Sequence, residues 1–114
     1  METGPLPRFV AGLRRTGAPP SYQSNCFIGA LDASVAYTLQ LLSKDNVPIG
    51  APLSGTLAPH GVVRYLDVFA SANAPAGDYA EVMARFSVAG GASFDAYCTM
   101  QESITFGADF RLAN

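Results

Sequence analysis

Residues 78–88 read DYAEVMARFSV, and their alternation decides the class of fold. Ala80, Val82, Ala84, Phe86 and Val88 fall on one side of an extended chain. Tyr79, Glu81, Met83, Arg85 and Ser87 fall on the other. Successive side chains of a strand point to opposite faces, so this pattern describes a half-buried antiparallel strand. The same period recurs at 94–101, where Phe94, Ala96, Cys98 and Met100 oppose Asp95, Tyr97, Thr99 and Gln101. It recurs at 104–112, where Ile104, Phe106, Ala108, Phe110 and Leu112 make one set. It recurs again in Val35, Tyr37, Leu39 and Leu41.

Turn-forming residues separate these runs. Lys44-Asp45-Asn46 follows the 35–42 strand, Ala74-Pro75-Ala76-Gly77 precedes the strand from Asp78, and Ala89-Gly90-Gly91 joins the two strongest strands as a hairpin. Thr16 to Pro20 divides an early strand near 9–14 from another near 25–31. Seven to eight short strands at this spacing predict an all-β fold, an antiparallel β-sandwich or barrel. The 114 residues suit a single domain spanning 1–114, with residues 1–5 as a loose lead-in.

Composition narrows the function. Charged residues are 14% of the chain, against about 25% in ordinary globular proteins. The net charge is −2, and the seven basic residues are scattered, so the basic stripe that binds phosphates is missing and nucleic acid is not an expected partner. No run of 18 apolar residues predicts a membrane span. No CxxC, HExxH or Cys/His cluster occurs, so neither metal nor cofactor is expected. Asp32 and Asp45-Asn46 lack the oxygen density of a calcium loop.

Cys26 shares its face with Ile28 and Ala30, as Cys98 does with Phe94 and Ala96. Both cysteines are predicted to point inward, from strands far apart in the chain. A disulfide across the two sheets is the favoured reading, with two buried thiols as the alternative. The bridge implies an oxidising compartment.

Cysteines on an early and a late strand of such a sandwich resemble an immunoglobulin-type domain, although no tryptophan is present to pack on the bridge. A closer resemblance rests on LSGTLAPHGVVRYLDVFASANAPAGDYAEVMARF, residues 53–86. This stretch is similar to Ig-like modules of bacterial secreted and cell-surface proteins. There a Ser/Thr-rich strand leads into L-x-P-x-G, an Arg/Leu/Asp segment, G-x-Y and another strand. The resemblance implies a spacer or adhesion element in a secreted, periplasmic or surface protein. It implies no catalysis and hands over no binding residues.

Within that stretch, APHGVVRYLDVFA (58–70) gathers the single histidine, an arginine, a tyrosine and an aspartate. Val62, Tyr65, Leu66 and Phe69 stand at i, i+3, i+4 and i+7, and Pro59 suits a helix start. A short helical turn near 62–70, plugging one end of the sandwich, is expected, with an Arg64–Asp67 pair on it. The reactive alternative makes His60 a base oriented by Asp67, but no G-x-S-x-G supplies a nucleophile. Glu81, Asp95, Glu102 and Asp109 read as solubilising carboxylates on outward positions rather than a hydrolytic pair.

The expected role is therefore non-enzymatic: a structural, adhesive or protein-interaction module. Two alternatives remain. Tyr79 and Tyr97, extended by Tyr22, could form a stacking platform for glycans. Edge strands at 6–15 and 106–112 could pair with each other, with another copy or with other protein modules.

Overall fold

The computed structural model of the chain describes residues 7–16, 22–89, 93–102 and 108–112. Eight strands and one helical turn follow in order: β1 Arg8–Arg15, β2 Tyr22–Ala30, β3 Val35–Leu42, β4 Pro48–Leu57, β5 Val62–Tyr65, α1 Val68–Ser71, β6 Tyr79–Val88, β7 Phe94–Glu102 and β8 Ala108–Leu112. They form two four-stranded sheets, β1-β6-β3-β4 and β5-β2-β7-β8, in which all pairings are antiparallel. The all-β sandwich expected from the alternation is the fold observed.

The inward sets meet between the sheets. Val35, Tyr37, Leu39 and Leu41 of β3, Val82, Ala84 and Phe86 of β6, and Phe94, Ala96, Cys98 and Met100 of β7 are all buried. Burying each of the large side chains contributes about 1.5–3 kcal/mol. Parity breaks at the start of β6. Glu81 has φ 55, and while Leu13 faces Val82, Arg15 faces Tyr79. Three steps on β6 thus oppose two on β1, and the extra residue reverses the facing. Ala80 is exposed and Tyr79 is drawn partly inward, the opposite of the expectation.

The cysteines do form a disulfide, but not across the sheets. β2 and β7 are neighbours paired from Tyr22↔Glu102 to Ala30↔Phe94, and Cys26 and Cys98 are partners in that register. Alternation identified the face on which each cysteine lies; it carried no information on which strand lies beside which.

The segment 58–70 also differs from expectation. Its first part is the edge strand β5, paired with β2 from Gly29↔Val62 to Cys26↔Tyr65. Only 68–71 is helical, and Val68, Phe69 and Ala72 are the buried residues. Val62 and Leu66 are 64% and 60% exposed, so the helical spacing of apolar residues was coincidental. Pro59 sits in a turn closed by the Gly61 N–H donating to the Ala58 carbonyl at 2.8 Å, with His60 at φ 64. This is the geometry of a proline-led type II turn.

Of the two options for the edge strands at 6–15 and 106–112, pairing with each other is not formed among the described residues. β1 pairs with β6 and β8 with β7, so the two are edges of different sheets. Ile104 and Phe106, like residues 1–5, lie outside the described residues. β1 starts opposite Phe86, near the end of β6, and β8 finishes opposite Tyr97, near the start of β7. β1 therefore begins and β8 ends toward one pole, where the 31–34 and 58–61 connections lie. The opposite pole carries the Ser43–Val47 turn, α1 and residues 72–78.

Candidate functional site

Polar groups that enter the interior tie elements together. Ser24 is fully buried on β2; its hydroxyl accepts from the Arg14 N–H at 3.2 Å and donates to the Arg14 carbonyl at 2.8 Å. It thus joins the two sheets beside the irregular part of β1, where the sheet ladder leaves backbone groups to be satisfied. Asn25 accepts from the Asp67 N–H at 2.8 Å and from Gln23 Nε2 at 2.9 Å. That bond holds Asp67 at φ 52, where its carboxylate caps α1 by accepting from the Ala70 N–H at 3.4 Å. Tyr37 of β3 and Tyr65 of β5 link the sheets through their hydroxyls, 2.5 Å apart. Burial, reinforced by this hydrogen bond and by the charge of Tyr37, pushes the Tyr65 hydroxyl well above the usual phenol range.

At the pole of α1 and the Ser43–Val47 turn, Arg15 holds the 72–78 segment. Its guanidinium donates to the Pro75 and Gly77 carbonyls at 2.9 and 3.4 Å. It also lies over the Phe69 and Tyr79 rings, 5.5 and 5.2 Å from their centroids. An open cleft of about 660 Å³ lies alongside, lined by Arg15, Asn73 and Asp78 among others. A second shallow depression of about 590 Å³ lies on the outer face of the first sheet, lined by Thr38, Ser54, Thr56 and Ser87 around Gly55.

The flank between β4 and β5 has a different character. Between Asp45 and Arg64 the chain contains no Asp, Glu, Lys or Arg. β4 is ten residues long, mostly exposed, and forms the edge of its sheet. Its first half is bent: Gly50 has φ +70, and the Ala51 N–H donates to the Ala72 carbonyl at 2.8 Å. A Cβ at Gly50 would stand 2.4 Å from that carbonyl oxygen. Its second half, Leu53 to Leu57, runs regularly opposite Leu39 to Val35.

The three tyrosines expected to share a platform are dispersed. Tyr79 belongs to one sheet and Tyr97 to the other. Tyr79 stacks on Phe69 at 5.2 Å and donates to the Pro75 carbonyl at 2.6 Å. Tyr97 stacks on Phe27 at 4.6 Å across the β2–β7 pair. Tyr22 lies under the Arg14 guanidinium, 4.8 Å from its ring centroid. The bulge at Glu81 and the sheet order, neither visible in the residue pattern, are what separate them. His60 is exposed on its turn and donates its backbone N–H to the Leu31 carbonyl, while Asp67 caps α1, so the two serve separate turns. The ion pair among the described residues is Arg8–Asp95 at 4.0 Å, on the surface, rather than Arg64–Asp67. Among the described residues no group of three or more His, Cys, Asp or Glu side chains could hold a metal.

Sequence reasoning missed Ser24, Asn25 and Gly50. A serine on an otherwise apolar inward set was the available sign for the first. No family model, curated protein or solved structure matches the chain.

Proposed function

We propose that this domain is a non-catalytic structural and interaction module of an exported bacterial protein. The observation that carries the reading is the use made of interior polar groups. Ser24, Asn25, Tyr37 and Tyr65 are engaged in bonds that join strands or fix turns, and Gln40 donates to the Ile49 carbonyl of the neighbouring strand. Among the described residues no buried side-chain nitrogen or oxygen lacks a hydrogen-bond partner. Such an interior stabilises one shape rather than holding a reactive group in readiness. The buried disulfide supports an oxidising destination, and the resemblance of residues 53–86 to secreted modules agrees with it.

Excising the domain from its host protein tests this. The expected result is loss of assembly or attachment of the host with its other activities retained. A turnover activity of the isolated domain, abolished by His60→Ala with the fold intact, overturns the reading. A glycan-binding role retains one supporting contact, the half-buried Tyr97 stacked on Phe27. A glycan-array signal lost in Tyr97→Ala would favour it.

A further inference from the structure

We propose that the second half of β4 pairs with the same segment of another copy of this chain, across a two-fold axis through Gly55. The proposal rests on reading the domain as an interaction module, and it specifies one partner.

Natural edge strands are guarded by charges, prolines, bulges or cover. β4 has such guards in its first half alone. Pro48 and Pro52 lack an N–H, and the bend at Gly50–Ala51 is bonded to Ala72. From Leu53 to Leu57 every residue carries an N–H, no side chain is charged, and the strand lies at the sheet edge.

The order of residues in this half singles out the occupant. Leu53-Ser54-Gly55-Thr56-Leu57 reads the same chemically in both directions: leucine, small hydroxyl, glycine, small hydroxyl, leucine. Leu53, Gly55 and Leu57 are partners of the inward residues Leu39, Tyr37 and Val35; Ser54 and Thr56 are partners of the outward Thr38 and Ala36. A two-fold through Gly55 sets each Leu53 opposite a Leu57 on the core side. It sets each Ser54 opposite a Thr56 on the outer side. Both kinds of cross-strand pair are favourable, and a self-complementary patch is what an isologous interface needs. Sliding the register by two residues sets either Pro52 opposite Thr56 or Leu53 opposite Pro59, bringing a proline into the ladder. The same flank carries Val62 and Leu66, the most exposed large apolar residues among those described. They lie on and just after β5, the edge of the other sheet.

Light scattering after size exclusion, over a concentration series, tests the pairing. The unmodified protein is expected to show a two-chain mass that grows with concentration, and amides 53–57 are expected to exchange more slowly in step with it. Ser54→Lys with Thr56→Lys places two lysine pairs face to face and is expected to give monomer with an unchanged circular dichroism spectrum. Ser54→Glu with Thr56→Glu does the same, and an equimolar mixture of the two variants is expected to restore the two-chain mass. A protein that stays monomeric at every concentration overturns the proposal. So does a dimer that neither variant shifts, or a mixture that remains monomeric. If the variants fail to fold, exchange at 53–57 in the unmodified protein decides alone. A monomer that binds some other partner leaves the module reading standing, whereas a catalytic activity removes that reading without touching the two-fold.

Discussion

Cys26 and Cys98 face each other as register partners on adjacent strands, with Cα atoms 4.1 Å apart and neither residue exposed to solvent. The bridge closes a sequence separation of 72 residues while lying inside a ladder that already holds the two strands together.

Removing the bridge with Cys26→Ala and Cys98→Ala is expected to cost up to about 4 kcal/mol from the lost constraint on the unfolded chain. Urea unfolding of the two forms measures it. Because both sulfurs are enclosed, mild reductant is expected to leave the folded protein unalkylated until denaturant is added. Rapid alkylation without denaturant would show that the strands open locally.

Ser24→Ala leaves the Arg14 N–H and carbonyl without their partner inside the sandwich. The expected loss is about 1–3 kcal/mol, read from the urea midpoint at unchanged slope. A change within experimental error would mean that water or a shift of β1 replaces the hydroxyl.

Asn25→Ala and Asn25→Asp separate two roles of one side chain. Both lose the amide donor that reaches Thr99 at 3.4 Å, but only alanine loses the acceptor for Asp67. Hydrogen exchange across residues 66–72 is expected to quicken in the alanine variant and to stay close to normal in the aspartate variant. Equal quickening in both would assign the hold on α1 to something else.

Gly50→Ala is expected to destabilise the protein by about 1–3 kcal/mol, as a residue forced into an unfavourable backbone region does, and by more than Gly77→Ala. Both have positive φ, but a Cβ at Gly50 strikes the Ala72 carbonyl and one at Gly77 meets nothing within 4 Å. Thermal unfolding of the pair checks the order.

The raised affinity of Tyr65 for its proton has a definite sign. Stability from the neutral Tyr37–Tyr65 link is complete below about pH 10, the unfolded phenol value, and is lost as the pH rises beyond it. Tyr65→Phe is expected to flatten that alkaline decline, which denaturation at a series of pH values will show.

Much of this architecture was legible in the residues. Alternation placed Val82, Phe86, Phe94 and Cys98 inside, and prolines and glycines marked the turns, because a strand's facing is a local property. Partnership is not local. Cys26 opposite Cys98, Tyr79 apart from Tyr97 and β1 beside β6 depend on how distant segments pack. The stretch 62–69 misled because four apolar residues fit a helical spacing while β2 offered its backbone to the same residues as a strand. β4 was nearly silent: at an edge, with one face exposed, it needs no apolar period. The absence of charge and proline from Leu53 to Leu57 marks its open half as the part of the sandwich with the fewest obstacles to another strand.

The start of β1 and the end of β8 at one pole bear on how these strands would carry a load. Tension applied through β1 and β8 draws both strands out from the same end, separating their ladders one bond at a time instead of shearing many at once. The outer strands of such a domain give way at low force. The Cys26–Cys98 bridge then stops the unravelling, because the 72-residue span it encloses, about 240 Å if fully extended, cannot be pulled out. Under tension the domain therefore acts as a short tether with a fixed stop.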